Sequence, residues 1–383
     1  MHFTKKTPEV IARGKRIRQI RKERLRQELK ELNQVKQKSK KSKIINFLFI
    51  FAVFVGLIIY IINEEGIENI VDVLKNANYG WIVAGLACLA VEWFSEALIM
   101  HIPLKKMYPK HKYKLSLQTN IIGRLFNNIT PFSSGGQPFI AYILKKHGLR
   151  ASDTLSVLMM KFVVYQIGLF AWAFILLFTN LEFFNNTFGN YIWLVVLGFI
   201  MNLIATVFIL TAGINKNIIL KIAKPFIKLG SKIKLGKRRL VKDYEATITK
   251  IDGSISNYSE QFNKMKGQKK TLLKMFAIQM VQLLAYFSIP FMIYQAFGNT
   301  GTAYFEVVMV QAFLLLVMSF IPTPGSGLGA EGGFALFYRT IFATGLNLAI
   351  LFWRIYTFYL PIIIGVIVFI AMNRKETDFL GHS

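Results

Sequence analysis

Residues 124–138 read Arg124-Leu-Phe-Asn127-Asn128-Ile-Thr130-Pro131-Phe-Ser133-Ser134-Gly135-Gly136-Gln137-Pro138, and residues 321–333 read Ile321-Pro322-Thr323-Pro324-Gly325-Ser326-Gly327-Leu-Gly329-Ala-Glu331-Gly332-Gly333. Both carry Thr-Pro followed by a run of small residues. Proline removes a backbone donor, and glycine frees the chain from helical dihedrals. Each stretch breaks an apolar region, 115–148 and 304–343. In hydrocarbon, irregular backbone is tolerable only where protein or a wet cavity covers it. The pattern therefore predicts a re-entrant hairpin tip in each region. Thr130 aligns with Thr323 and Pro131 with Pro324, at an offset of 193 residues. Thirty residues after each proline stands a base, Lys161 and Arg354, and four residues later an aromatic, Tyr165 and Phe358.

Composition supports a membrane setting. Of 383 residues, 54% are hydrophobic and 17% charged, against about 25% charged in soluble domains. The net charge is nevertheless +27, from 47 Lys and Arg and 20 Asp and Glu. This combination is too apolar for water and too basic for a buried core. It fits a membrane protein whose bases collect on one side. The lone Cys88 rules out internal disulfides, and the five His show no HExxH or comparable spacing. Secreted disulfide scaffolds, zinc enzymes and soluble nucleic-acid binders are thereby set aside, and neither a metal nor a cofactor is expected.

About 20 mostly apolar residues are needed to cross the hydrocarbon. Stretches 44–62, 80–100, 154–179, 190–213 and 271–297 meet that need, as does 346–372 with Arg354 inside it. The first reads as a signal anchor with no cleavage site behind it. Bases cluster in 1–43, 101–117, 145–150, 214–270 and 374–375, which hold 41 of the 47. Positive-inside reasoning places these segments and both termini in the cytoplasm of a multi-pass cell-membrane protein. The first hairpin then enters from the cytoplasm and the second from outside. Units 80–179 and 271–372 become an inverted-topology repeat. The expected fold is an all-α integral membrane protein with about six spanning helices and two re-entrant hairpins. Its domains are a basic amphipathic tail 1–43, a membrane domain 44–373 with the basic loop 214–270 as an interfacial helix, and a short end 374–383.

In the tail, Ile17, Ile20, Leu25, Leu29, Leu32 and Val35 recur at helical spacing among bases. Such a segment suits an anionic inner-leaflet surface, a partner helix, or simple topology setting. No interleaved aromatics or motif supports RNA binding.

Charges inside the membrane are Glu92, Glu96, Arg124, Lys161, Glu331 and Arg354. Each costs about 2.5–3.5 kcal/mol at a helix centre, so each should be paired or line water. Glu92 and Glu96 share a helix face and are expected to pair with Arg124 or carry protons. A structural ion-pair network is one reading of the set; a lipid-headgroup site is the other. Arg124, Lys161 and Arg354 suit a phosphodiester, and carboxylates such as Glu331 suit an amine or hydroxyls. Asn128, Thr130, Gly135, Gly136, Thr323, Gly325 and Gly327 are candidate neutral contacts from the hairpins.

The runs Asn127-Asn128-Ile-Thr130-Pro131…Gly135-Gly136-Gln137-Pro138…Tyr142 and Pro322-Thr323-Pro324-Gly325…Gly327…Gly329…Glu331 resemble the flippase-like transmembrane domain of lysylphosphatidylglycerol synthase, the multiple peptide resistance factor. The resemblance covers 44 to about 373. It implies translocation of a phospholipid, classically lysylphosphatidylglycerol, between leaflets, with resistance to cationic antimicrobial peptides as a consequence. The family's lysyl transfer belongs to a cytosolic domain after the last span, where this sequence has only 373–383. Synthase activity is therefore not expected of this chain. A phosphatidylglycerol lysyltransferase-type enzyme and a membrane partner docking a separate synthase are the alternatives. No GxxxxGK[ST] motif is present, and no nucleophile–base spacing supports an enzyme.

Overall fold

The computed structural model describes residues 67–130, 133–214, 216–232, 234–235, 238–239, 244–319 and 327–380. The basic tail, the expected first span and the positions Pro131, Thr323, Pro324 and Gly325 lie outside them. The described chain is almost wholly helical. Among these residues five helical stretches are long and apolar enough to cross a membrane: Tyr79–Met107, Ala151–Thr179, Leu181–Phe208, Lys269–Ala296 and Leu346–Met372.

Helix α1 (Ile67–Asn76) leads into α2 (Tyr79–Met107). Asn78 caps α2 by accepting from the Gly80 amide at 3.0 Å, and Lys105 and Lys106 stand in its last turn, where the dipole favours cations. At 29 residues α2 is about 43 Å long, ample for a hydrocarbon core of about 30 Å.

The first interrupted region folds as two shorter helices, α3 (Tyr113–Ile129) and α4 (Gly136–Lys146), which pack on each other. At 17 and 11 residues, both fall short of a full span. The link between them closes on side chains. Thr130 Oγ1 donates to the Phe126 carbonyl at 2.6 Å and accepts from the Gly135 amide at 2.8 Å. Asn127 Oδ1 accepts from the Gly136 amide at 2.8 Å. A Cβ on Gly136 would collide with Asn127 and the Gly123 carbonyl, so glycine is required there for close approach.

Helix α5 (Ala151–Thr179) follows, then α6 (Leu181–Phe188) and α7 (Ile192–Ile214). The basic loop, expected as one interfacial helix, contains two: α8 (Lys216–Lys232) and α9 (Tyr244–Lys266). Between them lies a two-residue strand pair, β1 (Lys234–Leu235) antiparallel to β2 (Arg238–Arg239). The all-α class stands, with this single short pair as its only strand structure among the described residues.

Helix α10 (Lys269–Ala296) opens the second half. The second interrupted region gives α11 (Tyr304–Met318) and α12 (Gly327–Tyr338), also in contact. The last long segment joins α13 (Leu346–Arg354), a π-helical turn Ile355–Tyr359 and α14 (Leu360–Leu380). The halves interlock. Helix α10 packs along α2 and α5, and α14 packs on α3. Asn202 on α7 donates to the Leu316 carbonyl at 3.1 Å and accepts from Gln166 of α5 at 3.2 Å, the interhelical hydrogen bonding that joins helices where water is absent.

Candidate functional site

A cavity of about 310 Å³ is lined chiefly by α2, α3, α5 and α10, with Gln137 and Ile140 from α4. Helix α2 contributes Glu92 and Glu96, one turn apart. Helix α3 contributes Asn120, Arg124, Asn127 and Asn128, spaced to share a face. Helix α5 brings Lys161 and Tyr165, and α10 brings Gln279, Gln282 and Tyr286. Thr357 and Pro361 complete the wall from the second half.

The charged groups form a closed set. Arg124 donates through Nη2 to Glu92 Oε1 and Glu96 Oε2. Lys161 donates from Nζ to Glu96 Oε1 and to Asn120 Oδ1, both at 2.6 Å. Gln282 donates to Glu92 Oε1 at 2.5 Å, and Gln279 donates to Gln282. The Arg124 guanidinium also lies over the Trp93 ring, 5.9 Å from its centroid. Two cations balance two carboxylates, so the cluster is neutral as a whole. The Glu92 side chain is 3% exposed, whereas those of Arg124, Lys161 and Glu96 are 15–20% exposed. Within this cluster, Glu92 Oε2 and Arg124 Nε are buried and have no partner among the described residues.

The second half holds a different arrangement. Arg354 donates from Nε to Glu331 Oε1 at 2.7 Å, and its side chain is 3% exposed. Its guanidinium carbon lies 5.2 Å from the Trp353 ring centroid and 5.3 Å from that of Phe358. Neither Arg354 nor Glu331 lines the polar cavity described above. The π-turn begins immediately after Arg354.

The structure thus brings Glu92, Glu96, Arg124 and Lys161 together with Asn128, and puts Glu331 with Arg354 elsewhere. Asn128 lines the cavity and donates to the Phe358 carbonyl at 3.3 Å, stitching the first hairpin to the π-turn. Thr130, Gly135 and Gly136, read as ligand contacts from sequence, have their hydroxyl and amides engaged in closing the hairpin. Ser133 lines the cavity instead, with φ of +50°, a left-handed conformation uncommon outside glycine. Gly327 begins α12; Thr323 and Gly325 lie outside the described residues. Sequence reasoning missed Asn120, Gln279 and Gln282. The legible signal was polar spacing, Asn120 to Arg124 at i, i+4 and Gln279 to Gln282 at i, i+3, inside otherwise apolar helices.

On the other side of the α5–α10 seam is an apolar groove of about 530 Å³, lined by Met160, Val163, Val164, Ile167, Leu272 and Phe276 among others. Among the described residues, no group of three or more His, Cys, Asp or Glu is placed to hold a metal ion.

A family profile described as lysylphosphatidylglycerol synthase TM region matches residues 45–365. No curated protein matches the chain.

Proposed function

The chain belongs to the lysylphosphatidylglycerol synthase TM-region family, and on that premise we propose that it moves a phospholipid between membrane leaflets, its headgroup held at the Glu92–Glu96–Arg124–Lys161 cluster. The observation that carries this reading is a neutral four-charge set, with an unpartnered carboxylate oxygen and guanidinium nitrogen, lining a polar cavity. Buried polar atoms are normally satisfied, and leaving them open is costly. A headgroup supplies what is lacking: phosphate oxygens for Arg124 and Lys161, an amine or hydroxyl for Glu92 and Glu96. Because the cations and carboxylates already pair with one another, a ligand bearing both charges trades partners without stranding a buried ion. An aminoacylated or other polar anionic headgroup, such as that of lysylphosphatidylglycerol, has that character.

Size favours the same division of labour. About 310 Å³ lies at the small end of ligand sites. It takes a headgroup and excludes two acyl chains. The apolar groove lies on the same two helices, α5 and α10, and offers acyl chains a path beside the headgroup. The two interrupted regions are read as oppositely directed re-entrant hairpins of an inverted repeat, the arrangement that places transport sites between halves. The cytoplasmic orientation of both termini belongs to the same reading.

The test is leaflet transfer in proteoliposomes with fluorescent lysylphosphatidylglycerol and phosphatidylglycerol, read by quenching of outer-leaflet dye. Arg124→Ala should slow transfer by about tenfold or more, the worth of a hydrogen bond to a charged group, while membrane insertion is retained. Wild-type rates in Arg124→Ala and in Glu96→Gln would defeat the assignment.

A further inference from the structure

A second polar pocket, of about 390 Å³, lies away from the transport cluster, where the end of α2, the start of α3 and the end of α4 converge. Its lining includes Lys110, Lys112, Lys114, His111 and His147, with Gln118 and Gly148 between them. No lining residue among the described residues is acidic. The nearby Asp153 is held by the Tyr108 hydroxyl, which donates to it at 2.5 Å. Lys105 is turned to the Pro109 carbonyl at 2.6 Å.

One group in this pocket is built in. His111 is 5% exposed, and its Nδ1 has no partner within the protein. Its Nε2 lies 2.7 Å from Ser116 Oγ, which is itself 3.4 Å from His101 Nδ1. When the Ser116 hydroxyl donates to His111 Nε2, the proton of the imidazole sits on Nδ1, which becomes an N–H donor. The pocket also sits at the N-terminus of α3, where no side chain caps the first-turn amides, so the helix dipole adds to the field.

We propose that this pocket is a binding site for a phosphate group, held by Lys112, Lys114 and Lys110 with the His111 Nδ1–H as the buried directional donor. A tetrahedral phosphate offers several acceptor oxygens to converging ammonium groups, and lysine serves as a point charge for it. Basic pockets between helices at a membrane face suit the headgroups of anionic lipids, and a free phosphate carries the same chemistry. Burial, with His101, Lys105 and His147 nearby, pushes His111 down to about 4. A bound anion opposes that push and favours the donor form. The site is separate from the transport cluster, so its fate does not decide the transport reading.

Isothermal titration of the full chain in uncharged detergent, at pH 7 and fixed ionic strength, tests it with inorganic phosphate and dihexanoyl phosphatidic acid as separate titrants. Saturable binding is expected, weakened about tenfold or more in Lys112→Gln/Lys114→Gln and unchanged in Lys221→Gln/Lys224→Gln, a pair of exposed lysines outside this pocket. Binding of both titrants identifies the phosphate group as what is read; binding of the lipid alone identifies a leaflet lipid as the source. The proposal is overturned if neither titrant binds saturably, if Lys112→Gln/Lys114→Gln binds like the wild type, or if both lysine pairs weaken binding equally.

Discussion

The two halves of the molecule place a base at matching positions, Lys161 and Arg354, and solve the problem of its charge differently. In the first half, Lys161 joins Glu96, Arg124, Glu92 and Asn120 in a network that borders a cavity. In the second, Arg354 meets Glu331 beneath two aromatic rings at the start of a π-turn. The contrast separates two uses of a buried charge. Where cations and carboxylates each have more than one partner and face open polar volume, partners can be exchanged, and a ligand can enter the exchange. Where a pair lies against two rings and away from that cavity, it ties the second hairpin helix α12 to the last long segment. One half holds a shared network beside a cavity, and the other a ring-covered pair that acts as a latch.

The largest expected effect breaks the latch. Arg354→Met leaves Glu331 without its cation in a mostly buried place, and such a change costs about 3–5 kcal/mol. Thermal unfolding in detergent should show it. Adding Glu331→Gln to the same chain should recover more than half of the loss, because both charges are then gone. A single variant as stable as the wild type would show that the pair ties nothing together.

A smaller effect sharpens the difference on the cavity side. Lys161→Gln leaves Glu96 paired with Arg124, so stability should change by less than about 1.5 kcal/mol. On the proposed function, lipid transfer in proteoliposomes should still slow by about three- to tenfold, because the proposed headgroup site loses one cation. If Lys161→Gln costs as much stability as Arg354→Met, the network is as rigid as the latch and the contrast fails.

The smallest effect lies where the halves join. Asn128→Ala removes the hydrogen bond to the Phe358 carbonyl, worth about 1 kcal/mol. The expected drop in unfolding temperature is small, with transfer slowed by no more than about fivefold. Loss of transfer comparable to that of Arg124→Ala would move Asn128 from a structural stitch into direct contact with the headgroup.

Much of this was legible beforehand. Runs of apolar residues about 20 long announced the spans, since the bilayer requires that length whatever the neighbours are. The five described spans fall where those runs lie. Thr-Pro with glycines announced the interruptions, because proline and glycine act on their own backbone. Less legible were the amides of Gly135 and Gly136. They read as free donors, yet Thr130 and Asn127, five and nine residues away along the chain, take them up once the hairpin closes. Gln279 and Gln282 were passed over because a lone amide in an apolar helix declares no partner until another helix faces it.

The amino-acid order by itself thus determined the membrane class, the family, the span positions, the broken segments and the inventory of intramembrane charges. These follow from hydropathy and local backbone preference, which act within a few residues. Only the tertiary structure decided which charges meet. It set Arg124 against Glu92 and Glu96, gave Lys161 to Glu96, and set Arg354 against Glu331. Pairing of ions depends on distances of a few ångströms between helices far apart in sequence, and packing alone sets those.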